Sequence, residues 1–317
     1  MTTFLQIIGG IAGVALLYYG AEFLVKGGVS IATKMKISPL VIGLTLVAFS
    51  TSAPEMVVSI DAAIKGLGNV SIGNVVGSNI CNIALILGLC SMITPLTVNK
   101  KLFRLDIPLM IFSAILLTGF YAISKGVNRW QAVILLIGII AYTAWSIHAS
   151  RKEETQGETE EKPAEEVKMY PVWLALLFVA IGLGCLVGGA KLFVNAAVYI
   201  AKLCKISDAV IGLTVVAVGT SLPELATSVV AAIKGEKDIA IGNVVGSNIF
   251  NILAILGVAP LFAPIYAPGI SWVDMGLMIF VSVILYPIMK TGSVISRKEG
   301  VFLFLLYTGY TVWLCLA

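Results

Sequence analysis

The chain contains one unit twice. Residues 37–88 align without a gap on residues 206–257 at an offset of 169, and 33 of the 52 columns are identical. The match continues more weakly upstream, where Gly20-Ala21-Glu22 faces Gly189-Ala190-Lys191. Any fold must therefore place two copies of one unit. The composition names the solvent: 59% of the 317 residues are hydrophobic and 12% charged, about half the charged share of a soluble domain. Such a chain is suited to a bilayer and leaves little length for an aqueous catalytic domain.

Apolar stretches run at roughly 4–25, 38–64, 70–93, 105–124, 129–148, 171–200, 207–233, 239–263, 272–290 and 299–316. Each approximates the ~20 residues a helix needs to cross the hydrocarbon core. The expected fold is an all-α membrane protein of ten transmembrane helices. Residues 1–149 make a first five-helix repeat, 150–169 a solvated acidic linker, and 170–317 a second repeat. Five is odd, so the second copy enters from the opposite side. Inverted repeats with broken helices at their interface are the layout of many secondary transporters.

Lys and Arg number fourteen in the loops of one side and five in those of the other, with Lys26 and Lys191 inside spans. The richer side holds the linker, so the linker is expected in the cytoplasm and both termini outside the cell membrane. A net charge of +4 with no basic stripe offers no nucleic-acid surface. The five cysteines (Cys81, Cys90, Cys185, Cys204, Cys315) are scattered through apolar sequence, which suggests neither a disulfide framework nor a zinc site.

Of the 17 acids, seven lie in the linker and Asp106, Asp208, Glu236, Asp238, Asp274 and Glu299 at span ends or in short loops, which leaves Glu22, Glu55, Asp61 and Glu224 within apolar segments; of these only Glu55 and Glu224 are repeat-equivalent. A charge at the bilayer centre costs ~2.5–3.5 kcal/mol or more, so a repeated carboxylate there implies a partner or a task. Glu22 and Asp61 face Lys191 and Val230 in the other copy and read as ion-paired or span-end residues. The repeated pair sits in Thr51-Ser52-Ala53-Pro54-Glu55 and Thr220-Ser221-Leu222-Pro223-Glu224. Proline removes a backbone donor, so the helix should break and free carbonyls near Ala48 and Thr51, or Ala217 and Thr220, as ready cation ligands. Thr51 and Ser52 lie four and three residues before Glu55, which should place them on the face of their own carboxylate.

A second constellation, Gly73-Asn74-Val75-Val76-Gly77-Ser78-Asn79-Ile80-Cys81-Asn82, recurs as Gly242 to Asn251 with one change, Phe250 for Cys81. Ser78 with Asn82, and Ser247 with Asn251, lie four apart on one helical face and offer neutral oxygens. Asn74, Asn79, Asn243 and Asn248 read rather as glue between helices. Two carboxylates among hydroxyl and amide oxygens favour calcium, magnesium or alkali cations over zinc or copper. One Ca²⁺ or two Na⁺ would neutralise the pair, and a third Na⁺ would leave a positive load sensitive to membrane potential.

These motifs resemble the paired alpha repeats of the cation/calcium exchanger superfamily, in particular its prokaryotic sodium/calcium exchangers, with G-T-S-L-P-E followed by G-N-x-x-G-S-N in each half. The resemblance covers nearly the whole chain. It implies cation ligands at Glu55 and Glu224, Thr51 and Thr220, Ser52 and Ser221, Ser78 and Ser247, Asn82 and Asn251, and the carbonyls of Ala48 and Ala217. It also implies exchange of Ca²⁺ for Na⁺ by alternating access, spans one and six sliding over the other eight. The transported cations and the bilayer would be the only partners, with no cofactor and no obligatory protein partner.

Ser50 and Ala53 stand where the pattern has Gly and Leu. Asn251 stands where some members carry Asp, which leaves two carboxylates. Proton-coupled relatives have an acid after G-N, whereas Asn74 and Asn243 are followed by Val-Val-Gly-Ser, so sodium coupling is expected. A proton- or potassium-coupled antiporter and a passive cation channel are the alternatives. An enzyme is not expected: there is no HExxH, and the single histidine, His148, ends a span beside the linker.

Overall fold

The computed structural model describes residues 2–155, 170–204 and 217–316. Its helices are α1 (Thr2–Met35), α2 (Pro39–Thr51), α3 (Ala53–Ile64), α4 (Gly68–Ile93), α5 (Asp106–Ser124), α6 (Arg129–Thr155), α7 (Val172–Leu203), α8 (Ala217–Thr220), α9 (Leu222–Ile233), α10 (Lys237–Phe262), α11 (Trp272–Lys290) and α12 (Arg297–Leu316). Among the described residues seven helices are long and apolar enough to cross a membrane, or eight if the bent pair α2/α3 counts as one span. The chain is an all-helical, multi-pass membrane protein. The linker expected at 150–169 is corrected at its start, where residues 150–155 continue helix α6; its remainder, 156–169, lies outside the described residues, as do 205–216, which include Lys205, Asp208 and the start of the expected span 207–233.

Two helices form the centre. The apolar windows of α4 and α10 are 72% and 83% buried, against 22–39% in the other spans. These are the two helices that carry the repeated glycine- and asparagine-rich motif, whose small side chains let neighbours approach closely.

The repeat-equivalent helices α1 and α7 cross antiparallel along glycines spaced by seven. A Cβ added at Gly13, Gly20 or Gly27 would lie 2.7–2.9 Å from the carbonyl oxygen of Gly189, Gly182 or Ala175. With 34 and 32 residues, each helix is about 50 Å long at ~1.5 Å per residue, well beyond a ~30 Å hydrocarbon core. Helices of this length must tilt or project from the bilayer. The span expected to end at residue 25 instead continues to Met35. Lys26 does not stop it, because Glu22 one turn earlier neutralises it at 2.8 Å.

Each repeat donates strands to the other. β1 (Leu96–Thr97) pairs antiparallel with β4 (Val294–Ile295), and β2 (Gly126–Val127) with β3 (Ile265–Tyr266). Exchanging the two repeats maps one pairing onto the other. The β1–β4 pairing gathers the loop of Lys100, Lys101 and Arg104 beside that of Lys290, Arg297 and Lys298. Ser150 Oγ accepts the Ser38 N–H at 2.9 Å, which ties the end of α6 to the start of α2.

The expected helix breaks are present. α2 and α3 bend by 47°, with Ser52 at φ −84°, ψ 4° and Ser221 at φ −87°, ψ 7°. Pro54 and Pro223 fall in the first turns of α3 and α9, where a missing N–H costs nothing. Three π-helical stretches among the described residues go beyond what the sequence indicates: Gly43–Val47, Cys81–Leu87 and Asn251–Ile255. Such wide turns are rare and concentrate at functional sites, and here they contain Asn82 and Asn251.

Candidate functional site

The α2/α3 break, the α8/α9 break and the middles of α4 and α10 converge. Glu55 and Glu224 are each 1% exposed. Thr51, Ser52, Ser78, Asn82, Ser221, Ser247 and Asn251 are buried with them, while Thr220 is half-buried and lines a cleft beside the group.

The hydroxyls work across the repeats. Ser52 Oγ donates to Glu224 Oε1 at 2.9 Å, and Ser221 Oγ donates to Glu55 Oε1 at 3.5 Å. Ser221 Oγ also lies 3.3 Å from Ser78 Oγ. The expectation that Ser52 shares the face of its own carboxylate is therefore corrected: the chain turns at Ser52 and Ser221, and each hydroxyl is aimed at the acid of the other copy. Thr51 Oγ1 likewise crosses over, donating to Asn243 Oδ1 at 3.0 Å. The two carboxylates thus belong to one shared site.

The Ala48 carbonyl is a second correction. It accepts the Ser52 N–H at 3.0 Å and Thr51 Oγ1 at 3.3 Å, so the break does not free it. The donor that Pro54 lacks would have served residue 50, four positions earlier, and not residue 48. In the other repeat the Ser221 N–H goes to Val218 O at 3.1 Å.

Where α4 meets α10, the amides form a network that obeys the same two-fold relation. Asn79 Nδ2 donates to Asn248 O at 3.3 Å and Asn248 Nδ2 to Asn79 O at 3.2 Å. Asn82 Nδ2 donates to Asn248 Oδ1 and Asn251 Nδ2 to Asn79 Oδ1, both at 3.0 Å. The donors of Asn82 and Asn251 are engaged by this network, and their oxygens remain available. Asn74 Nδ2 bonds the Glu55 carbonyl and Ser59 Oγ at 3.2 and 3.0 Å, and Asn243 Nδ2 bonds the Glu224 carbonyl and Ser228 Oγ at 3.4 and 2.9 Å. Asn74 and Asn243 thereby hold the acid-bearing helices α3 and α9 on α4 and α10, which is the glue expected of them.

Among the described residues, six buried side-chain atoms have no hydrogen-bond partner: Glu55 Oε2, Glu224 Oε2, Asn82 Oδ1, Asn251 Oδ1, Ser247 Oγ and Thr227 Oγ1. All are oxygens, and four of them form two repeat-related pairs, Glu55 with Glu224 and Asn82 with Asn251. Leaving one buried polar atom unsatisfied costs ~1–3 kcal/mol, and native proteins rarely concentrate such atoms without a reason. A cation satisfies several such oxygens at once. No group of three or more His, Cys, Asp and Glu gathers among the described residues, so the carboxylates here are supplemented by neutral oxygens. Sequence reasoning missed Thr227, Ser59 and Ser228, and it gave Asn79 and Asn248 no part in aiming Asn82 and Asn251. The repetition of Ser59 in Ser228 and of Asn79 in Asn248 was visible, but the direction of their side chains was not; Thr227, facing Val58 in the first copy, carried no such signal.

The arrangement can be set against known proteins. The family described as "Sodium/calcium exchanger protein" matches residues 5–148 and 174–316. The chain belongs to the sodium/calcium exchanger family. Among its relatives, the sodium/calcium exchanger MaX1 of Methanosarcina acetivorans is 35% identical over 95% of each chain. The inner membrane protein YrbG of Escherichia coli is 34% identical over 96% of this chain and 94% of its own. A solved structure of the sodium-calcium exchanger NCX_Mj superposes with a TM-score of 0.81 at 36% identity, covering 96% of this chain and 97% of that one. Family members of this similarity share the fold over nearly their whole length.

Proposed function

We propose that this member of the sodium/calcium exchanger family is a secondary antiporter that exchanges Ca²⁺ for Na⁺ by alternating access. The proposed ligands are Glu55, Glu224, Thr51, Thr220, Ser52, Ser221, Ser78, Ser247, Asn82 and Asn251. The resemblance adds the carbonyls of Ala48 and Ala217, of which Ala48 O already accepts from the Ser52 N–H and Thr51 Oγ1. The observation that carries this reading is the repeat-related set of buried, unpartnered oxygens around two carboxylates contributed by opposite halves. The names of MaX1 and NCX_Mj agree with it.

The chemistry makes the ions compete. Two carboxylates in a dry site need about two positive charges to be stable, and one Ca²⁺ or two Na⁺ supplies them. A site that accepts either but not both exchanges one for the other. A third Na⁺ on the neutral oxygens would make the sodium-loaded carrier positive, so the cycle would be electrogenic.

Ten spans in two inverted repeats fit the antiparallel crossing of α1 and α7. They also fit the strand pairs: β1 and β4 must share a side of the membrane, as must β2 and β3, and the ten-span order puts an even number of crossings between each pair. The loop counts support both termini outside and the linker in the cytoplasm; the cell membrane as the location and calcium extrusion as the working direction belong to the same proposal. The test is ⁴⁵Ca²⁺ uptake into proteoliposomes under imposed sodium, potassium or proton gradients. Uptake should require an outward sodium gradient and quicken with an interior-positive potential. Uptake driven by protons, or needing no counter-ion, would replace this reading by a proton-coupled antiporter or a channel.

A further inference from the structure

A second pair of acids, matched between the halves at an offset of 168, one less than in the central motifs, has no part in the site. Asp106 opens α5 and Asp274 opens α11, and each accepts a hydrogen bond from the hydroxyl of a tyrosine 36 residues later: Tyr142 to Asp106 Oδ1 and Tyr310 to Asp274 Oδ1, both at 2.8 Å. Their surroundings differ. Asp106 and Tyr142 are buried, at 6% and 5% exposure. Asp274 and Tyr310 are half-buried and line a cleft of about 420 Å³ whose lining includes Ser78 and Thr220 of the proposed ion site.

The cleft is walled largely by apolar groups such as Val58, Val70, Ile270 and Leu314, and Asp274 is its sole carboxylate among the described lining residues. From Val70 to Ser78 it follows α4 for about 12 Å at ~1.5 Å per residue. Low-dielectric walls around one sign of charge focus the field and raise the local concentration of counter-ions. Asp274 Oδ2 accepts the Ser271 N–H at 3.2 Å, and Tyr310 holds Oδ1, so the carboxylate is fixed at the cleft wall. A helix cap alone would need neither the cleft nor the tyrosine.

We propose that Asp274 recruits cations into this cleft towards the ion site, and that Asp106 has the same task on the opposite access route when that route opens. The inference rests on the cation-site reading above. It makes Asp274 a positioning residue for ions in transit. At about 10 Å in a water-like dielectric, one carboxylate enriches a divalent cation roughly fourfold and a monovalent cation roughly twofold.

The experiment measures initial exchange rates in proteoliposomes at low ionic strength, varying Ca²⁺ and then Na⁺ on the face where the cleft opens. For Asp274→Asn, half-saturating Ca²⁺ should rise roughly fourfold and half-saturating Na⁺ roughly twofold, with the maximal rate unchanged. Added choline chloride should erase both shifts. Asp274→Glu, which keeps charge and cap, should behave as the parent, and Asp106→Asn should shift half-saturation only on the opposite face. Asp274→Cys, labelled after reconstitution with a negative or a positive methanethiosulfonate, separates charge from folding: the negative label should restore the parent value and the positive one worsen it. Unchanged half-saturation in Asp274→Asn while the parent exchanges Ca²⁺ for Na⁺ would overturn the inference alone. Equal effects of the two labels would do so too. A parent without sodium-driven calcium flux would remove the site reading beneath it.

Discussion

The two flanks of the site are built from the same sequence and packed differently. On one flank, α10 presses on α2: a Cβ added at Gly246 would come within 2.5 Å of Leu44 O, and one at Gly242 within 2.8 Å of Leu40 O. On the other, Gly73 and Gly77 of α4 are half-buried and line the cleft, whereas Gly242 and Gly246 are buried; most of the segment equivalent to α2 lies outside the described residues, and among those described a Cβ at Gly73 would meet the tip of Ile270 at 3.5 Å. Asn243 is fully buried whereas its equivalent Asn74 lines the cleft. Both flanks read Gly-Asn-Val-Val-Gly-Ser-Asn, so composition does not explain the contrast. Under the proposed alternating access, unequal exposure of two identical motifs is what two interchangeable states of one carrier would require.

The largest effect is expected where the flanks meet. Glu55→Gln or Glu224→Gln should each lower calcium exchange by about a hundredfold or more, as expected when one partner of a buried charge cluster worth ~3 kcal/mol or above is removed. Both variants should still elute as folded protein in size-exclusion chromatography. Substantial uptake in either one would mean that the carboxylates do not act as one site.

The next effect separates the flanks directly. Gly246→Ala should destabilise the protein by about 1–3 kcal/mol through overpacking against α2. Gly77→Ala should change stability by no more than about 1 kcal/mol, the scale of helix propensity. Thermal unfolding in one detergent measures both, and equal losses would show that the open flank is closed in solution.

Asn251→Asp is a subtler probe. A third acid beside Glu55 and Glu224 makes the calcium-loaded site negative and the three-sodium site neutral. Cation binding should tighten while exchange slows and its voltage dependence changes, read as ⁴⁵Ca²⁺ uptake with the potential clamped at opposite signs. A variant matching the parent in affinity and voltage response would return Asn251 to helix packing.

The smallest effect concerns an ion pair present on one flank only. Lys234 Nζ lies 2.7 Å from Glu22 Oε1 and joins the end of α9 to α1. The repeat-equivalents of these residues are Lys65 and Lys191, two bases, and Lys65 pairs with Asp61 of its own helix instead. Lys234→Gln should cost about 0.5 kcal/mol in thermal unfolding, and Lys65→Gln, on an exposed pair, nothing measurable.

The repeat, the broken helices and the buried acids were legible because each follows from a local rule: identity at a fixed offset, a proline in an apolar span, a carboxylate in hydrocarbon. The reading of Glu22 as ion-paired also held, since its spacing from Lys26 makes a one-turn pair. What could not be read depends on the second copy's position. Ser52 reaches Glu224 because of a turn whose direction only packing decides. Asn79 and Asn248 differ from Asn82 and Asn251 only in which way a central helix faces, and the π-helical turns at Cys81–Leu87 and Asn251–Ile255 rotate that face away from a regular helical count.

The most direct measurement of the central claim is equilibrium ⁴⁵Ca²⁺ binding to the purified protein, titrated with Na⁺, in the parent and in Glu55→Gln and Glu224→Gln. A shared site of two carboxylates predicts a single calcium ion per chain, displaced by sodium with a Hill coefficient above one, and loss of that binding in both variants. Calcium binding that sodium does not displace, or that survives the loss of either glutamate, would contradict it.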